Sequence, residues 1–180
     1  MAVRKLLGAE QQPRPADPHI SIGSIDDPEA VLLLRQLYGE QCQMYGFADT
    51  PELDSAQHLL PSGAFLLARA PGVKSPVGCG GFRTYPQREY VAEIRRMYVV
   101  PTWRGQGLGQ LMLTRLEGLA ASAGAREAIL ETGSLNTAAL RLYELAGYQR
   151  TAPYVPGRLD INRAFAKPLV AQSGELSRPA

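Results

Sequence analysis

The chain has 180 residues, 45% of them hydrophobic and 20% charged, and its 19 Lys and Arg against 17 Asp and Glu leave a formal net charge of +2. That length suits one domain with a substantial core, and the near balance of charge gives no footprint for nucleic acid or an anionic membrane. No apolar run exceeds five residues or so, against about 20 for a spanning helix, so no membrane partner is expected and any basic site must be local.

Residues 1–18, with Pro13, Pro15 and Pro18, show no periodicity and are expected to form a tail, as are residues 170–180. The N-terminal stretch also lacks the apolar segment and cleavage site of a secretory signal. Cys42 and Cys79 have neither a disulfide framework nor a metal-ligand spacing. They imply two buried or half-buried free thiols, a cytoplasmic location and no metal. His19 and His58 stand apart from other ligand types and are expected to be structural. One domain over residues 19–169 remains.

Ile20 and Ile22 alternate with polar neighbours, which predicts a first strand over 19–25. Asp26-Asp27-Pro28 supplies a cap and a first-turn proline for a helix that Gly46 should end. Pro51-Glu52 should open a second, shorter helix running to Leu60. Residues 63–70 and 76–85 read as strands joined by the turn PGVKSP, and 91–100 as a further strand. Within that last strand Ile94 is out of phase with Met97 and Val99, so a bulge near Arg95–Arg96 would return all three to one apolar face.

Residues 107–122 carry Leu108, Leu111, Met112, Leu116 and Leu119 at helical spacing. A short strand over 128–131, a helix over 136–146 stopped by Gly147, and strands over 148–154 and 162–167 complete the chain. The order β-α-α-β-β-β-α-β-α-β-β, with hairpins flanking a central β-α-β-α run, predicts a mixed α/β fold. Its central sheet is mostly antiparallel, with helices on both faces.

The stretch Arg104-Gly105-Gln106-Gly107-Leu108-Gly109 joins a strand to a strongly amphipathic helix. Glycines let the backbone turn sharply and bring its N–H groups near a ligand. A helix beginning there adds unsatisfied N–H groups and the positive end of its dipole, and Arg104 adds a full charge. The chemistry is that of a phosphate or pyrophosphate cradle. On spacing alone alternatives stay open. The loop lacks the Lys-Ser/Thr of a nucleotide P-loop and is spaced GxGxG where a dinucleotide fingerprint has GxGxxG, though Glu131 follows a strand at about the right distance. A turn with no ligand also fits.

Two longer strings narrow the choice. AEIRRMYVVPTWRGQGLGQLMLTRLE and, about thirty residues on, LETGSLNTAALRLYELAGYQR resemble the GNAT superfamily of acyl-CoA-dependent N-acyltransferases. The first supplies R-x-x-G-x-G at Arg104, Gly107 and Gly109 after Val99 to Pro101. The second supplies N-x-x-A-x-x-L-Y-x-x-x-G-Y at Asn136, Ala139, Leu142, Tyr143, Gly147 and Tyr148. GCGGFR at 78–83 and AEIRRMYV look like a bacterial subgroup acting on small molecules. The resemblance is close over 92–154 and looser over the whole domain.

The resemblance implies a set of roles. Acetyl-CoA would be the co-substrate, its pyrophosphate held by Arg104, Gly105, Gln106, Gly107, Leu108 and Gly109. The backbone of Met97, Tyr98 and Val99 would pair with the pantetheine amides like an added strand, and one N–H there would polarise the thioester carbonyl. Asn136 and Tyr143, seven residues apart, lie two turns apart on nearly one helix face. Asn136 could cap the helix and touch the pantetheine arm, while Tyr143 could reach the sulfur as general acid. Glu93 stands where family members often carry a carboxylate that orders water, which makes it the candidate base; pairing with Arg83, Arg95 or Arg96 is the structural alternative.

Arg83 could hold a substrate carboxylate, and Tyr154 could line the acceptor pocket. The acceptor would be a small-molecule amine, and homodimers are common in families of this kind. A catalytically silent acyl-CoA-binding regulatory module and a nucleotide-binding regulator are the rival functions.

Overall fold

Asp27-Pro28 and Gly46 bracket the first helix as the caps require. Gly46 is left-handed at φ +79° and its N–H returns to Cys42 O at 2.8 Å. The computed structural model describes residues 18–48, 54–157 and 160–170. The expected tails lie outside the described residues apart from Pro18 and Val170, and so does the Pro51 start of the second helix.

In chain order the elements are β1 (His19–Gly23), α1 (Pro28–Tyr45), a 3-10 turn (Ser55–His58), β2 (Gly63–Arg69), β3 (Gly78–Thr84) and β4 (Val91–Val99). There follow a second 3-10 turn (Pro101–Trp103), α2 (Leu108–Ser122), β5 (Glu127–Gly133), α3 (Thr137–Leu145), β6 (Gln149–Thr151) and β7 (Asn162–Pro168). The described part of the expected second helix is therefore one 3-10 turn, held by Asp54 Oδ1 accepting from Ala56 N at 3.1 Å. Tyr148 to Tyr154 yields only a three-residue strand.

The seven strands form one sheet in the order β1-β2-β3-β4-β5-β7-β6. Only β4 and β5 run parallel. Alternation along β2 explains how both faces are covered. Ala64, Leu66 and Ala68 join Met112, Leu113 and Leu116 of α2 on one side, while Phe65 and Leu67 meet Leu33 and Leu34 of α1 on the other. A central strand buried on both faces reads as a continuous apolar run, as Ala64 to Ala68 does. Cys79 is buried in the α1 layer, and Cys42 is exposed rather than buried; both are free thiols.

The expected bulge lies in β4. Cys79 is opposite Tyr98 but Gly81 is opposite Arg95, so Gly80 alone faces Arg96 and Met97. Arg96 absorbs the extra residue at φ +58°, a left-handed conformation that costs a side-chain-bearing residue about 1–2 kcal/mol. The shift returns Met97 and Val99 to the α2 layer already occupied by Ala92 and Ile94. Gly80 leaves room for Met97, which would have to shift for a Cβ there, 2.5 Å from its Sδ.

Candidate active site

The sheet opens where β4 leaves β5. Their ladder holds only at Val91–Glu127, Ala92–Ala128 and Glu93–Ile129. Beyond it β5 stays on β7 out to Gly133–Asn162. The β5-facing edge of β4 from Ile94 to Val99, including Met97, Tyr98 and Val99, thus has no strand partner among the described residues. An unpaired strand edge is a ready template for an extended ligand with amide groups.

At the far end of that edge lies the glycine loop. Gly105 and Gly107 take φ +74° and +85°, and a Cβ on either would project into open space. Gly107 is the N-cap of α2, whose first ladder bond runs from Leu111 N to Gly107 O at 3.0 Å. The N–H groups of Leu108, Gly109 and Gln110 therefore have no carbonyl one turn back. Gly109 lets the helix approach α3, with Leu142 Cδ2 3.4 Å from where its Cβ would be. Gln106 turns back onto Thr102 O at 3.1 Å. Arg104 is engaged within the protein: its Nε donates to Val99 O at 2.8 Å and its Nη2 to both oxygens of Glu40 on α1 at 2.7 and 2.8 Å.

Helix α3 borders the opening on the β5 side. Asn136 is its N-cap, with Oδ1 accepting from Ala139 N at 3.1 Å. The turn before it rests on Tyr45, the last residue of α1, whose hydroxyl accepts from Leu135 N at 3.0 Å and Asn136 N at 3.1 Å. Gly133 makes room for that phenol, because a Cβ there would lie 2.1 Å from its oxygen. Tyr143 is only 6% exposed, with its ring against Tyr148 and Phe165. Burial pushes its phenol pKa well up, so it stays protonated at any working pH. Its hydroxyl makes no hydrogen bond among the described residues.

The α1-facing side of β4 carries the charged groups. Ala92 and Ile94 face α2, so alternation turns Glu93 and Arg95 the other way. Glu93 is buried, and its Oε2 accepts from Arg83 Nε at 2.7 Å across the β3–β4 pair. Arg83 Nη1 also donates to Gln57 Oε1. Tyr154 donates to Glu93 Oε1 at 3.3 Å and packs its ring on Tyr85. Burial, with Glu93 and Glu131 nearby, pushes the Tyr154 pKa up. Glu131 in turn accepts from the backbone N–H of Tyr154 and Val155 and from Asn162 Nδ2, fixing the loop that presents the phenol.

Glu93, Arg83 and Tyr154, which are up to 71 positions apart in a chain of 180, therefore meet in one cluster. The glycine loop lies beyond the end of the β4 edge and Asn136 caps the helix that follows β5, while Tyr143 is buried in the core against Tyr148 and Phe165. Gln57, Glu40 and Tyr45 gave no signal of a role, because each acts through a partner remote in sequence. Among the described residues no three His, Cys, Asp or Glu side chains gather as metal ligands, and no helix is long and apolar enough to cross a membrane.

Comparison with known proteins agrees with this geometry. The model of the Acetyltransferase (GNAT) family matches residues 32–148. An IAA acetyltransferase of Azospirillum brasilense is 32% identical over 140 residues, covering 77% of this chain and 90% of that protein. Among solved structures, a Klebsiella pneumoniae protein assigned as an acyl-CoA N-acyltransferase superposes with a TM-score of 0.72 at 29% identity, over 85% of this chain and 98% of its own. A Salmonella typhimurium protein assigned as an acetyltransferase, solved with its cofactor acetyl-CoA, shares the fold at a TM-score of 0.66 and 22% identity, over 90% and 99% of the two chains.

Proposed function

Because the chain belongs to the GNAT acetyltransferase family, we propose that it transfers the acetyl group of acetyl-CoA directly to a primary amine of a small-molecule acceptor. The observation that carries this reading is the parting of β4 from β5 beside a bulge, with a glycine-turned helix N-terminus at the end of the exposed edge.

Acetyl-CoA, when bound, supplies an activated thioester. The residues present suit it: the edge of Met97 to Val99 offers amide partners, and the open space beside Gly105 and Gly107 suits a pyrophosphate. The N–H groups of Leu108, Gly109 and Gln110, with Arg104 and Gln106 at the rim, complete the cradle. Asn136 fixes the start of α3 and borders the pantetheine path. Glu93 takes the proton that the amine must lose before it attacks, directly or through water, and Tyr143 gives a proton to the departing sulfur. A β4 N–H would donate a hydrogen bond to the carbonyl oxygen as negative charge develops on it. The nucleophile is the substrate's own nitrogen, so no enzyme side chain is acylated. Arg83 and Tyr154 line the acceptor side and hold the Glu93 carboxylate in place.

Thiol release from acetyl-CoA across a panel of primary amines, with mass detection of the acetylated acceptor, tests the proposal. Turnover with a matching mass gain supports it. Thermal stabilisation by acetyl-CoA without turnover of any amine would instead assign a catalytically silent acyl-CoA-binding module. The cradle has its own test in Gly107→Ala. A Cβ would strain the +85° backbone by about 1–2 kcal/mol and protrude into the space assigned to the pyrophosphate. We expect the KM for acetyl-CoA to rise about tenfold, which corresponds to about 1.4 kcal/mol, with kcat within about threefold of wild type. An unchanged KM would move the pyrophosphate elsewhere.

A further inference from the structure

We propose that the acceptor carries a carboxylate beside its amine and that Arg95 is the residue that binds it, a proposal that rests on the acetyl-transfer function above. Arg95 is the last residue paired with β3 before the bulge, opposite Gly81. It lies two positions beyond the point where β4 leaves β5, on the same face as Glu93. Its side chain is 27% exposed, yet its nearest carboxylate contact is 3.9 Å, from Nε to Glu93 Oε2. That oxygen already accepts from Arg83 at 2.7 Å. Among the described residues the five N–H donors of Arg95 make no hydrogen bond. The side chain is partly exposed and its donors are uncommitted among the described residues, so they can meet an incoming oxyanion.

Charge selects the class of ligand. Two guanidiniums, Arg83 and Arg95, share this face with the carboxylates of Glu93 and Glu131; Arg83 is bonded to Glu93, which leaves Arg95 as the cation of the set without a hydrogen bond. The His58 ring fills the hollow above Gly81, opposite Arg95, where a Cβ would lie 2.8 Å from its Cδ2. Burial and the two arginines disfavour its protonated form. Glu131 is already held by three donors, and Arg96, the next cation along, lies over the Tyr38 ring of α1.

A simple ammonium entering here can pair with Glu93 but leaves Arg95 without a counterpart. An amine bearing a monoanion offers its nitrogen to Glu93 and its oxyanion to Arg95. Because those two side chains approach to 3.9 Å, the two groups of the ligand must also be close, as in an α- or β-amino acid. The planar fork of arginine matches a carboxylate bidentately.

The test compares kcat/KM for an amino acid, the amine left by its decarboxylation, and its aminophosphonate analogue, in wild type and in Arg95→Gln and Arg95→Lys. Wild type should prefer the amino acid over the plain amine at least tenfold. Arg95→Gln should lose about 10- to 100-fold of that preference, the range for a hydrogen bond to a charged group, mainly through KM, with Arg95→Lys in between. A variant damaged only in folding would lose rate on all acceptors in parallel and would melt earlier. Wild type that favours the plain amine, or a preference that survives Arg95→Gln, overturns the proposal while leaving acetyl transfer intact. Preference for the phosphonate assigns a dianionic group and overturns the carboxylate. No turnover of any amine is failure of the acetyl-transfer reading itself.

Discussion

Tyr143→Phe should lower kcat by about 100- to 1,000-fold, within the range for loss of a positioned proton donor, and should move the KM for acetyl-CoA by less than about threefold. The substitution removes one oxygen and little else. The ring sits against Tyr148 and Phe165 at centroid distances of 5.8 and 6.0 Å, contacts that phenylalanine keeps. The hydroxyl makes no hydrogen bond among the described residues, so its removal leaves no buried partner unsatisfied. Melting should therefore change by no more than a few degrees.

The pH profile supplies an independent check. A donor works only while protonated, and burial raises the Tyr143 pKa above that of a free phenol. Wild-type kcat should accordingly show no alkaline fall arising from Tyr143 through pH 10. A donor thioester with a more acidic thiol needs less help in leaving, so with it the variant should recover most of its rate. Loss of less than threefold with acetyl-CoA would remove Tyr143 as the acid and return it to the core, where its neighbours already place its ring.

What could be read from the sequence, and what could not, divides by the range of the interaction. The bulge was legible because alternation is local: Ile94 and Met97 cannot share a face of one strand unless a residue is inserted between them, and Arg96 is that residue. Gly46, Gly147 and Asn136 mark helix ends through chemistry confined to a turn. The parting of β4 from β5 left no local trace, because it is a property of the pairing of two strands that are far apart in the chain. The Tyr45 hydroxyl that holds the start of α3 acts across 90 residues, and the Glu40 carboxylate on Arg104 across 64. Neither tyrosine nor glutamate near the end of a helix announces such a partner. The acceptor side was half legible. Arg83 and Glu93 could be named, but only the β3–β4 register shows that they bind each other and leave Arg95 without a hydrogen bond.

Glu93→Gln should lower kcat on an alkylamine by about 100-fold at pH 7, and the manner of the loss separates a base from a brace. Glutamine keeps the size of the side chain and one acceptor oxygen, so Tyr154 retains an acceptor. It removes the charge opposite Arg83 and the capacity to take a proton. An alkylamine at pH 7 is almost wholly protonated, and the neutral fraction rises about tenfold per pH unit below its pKa. With the base gone, only that neutral fraction reacts, so the variant's rate should climb about tenfold per unit between pH 7 and 9. Wild type should climb far less over the same interval.

An acceptor whose amine is already neutral at pH 7 should lose correspondingly less in the variant. Were Glu93 only the counter-charge of Arg83, the variant would lose stability and would fall on all acceptors alike, with a pH profile parallel to that of wild type. The 2.7 Å bond to Arg83 and the proton-accepting role are compatible, because Arg83 engages Oε2 and leaves Oε1 with only the 3.3 Å bond from Tyr154. A parallel profile would assign the proton to water and leave Glu93 as the group that positions Arg83.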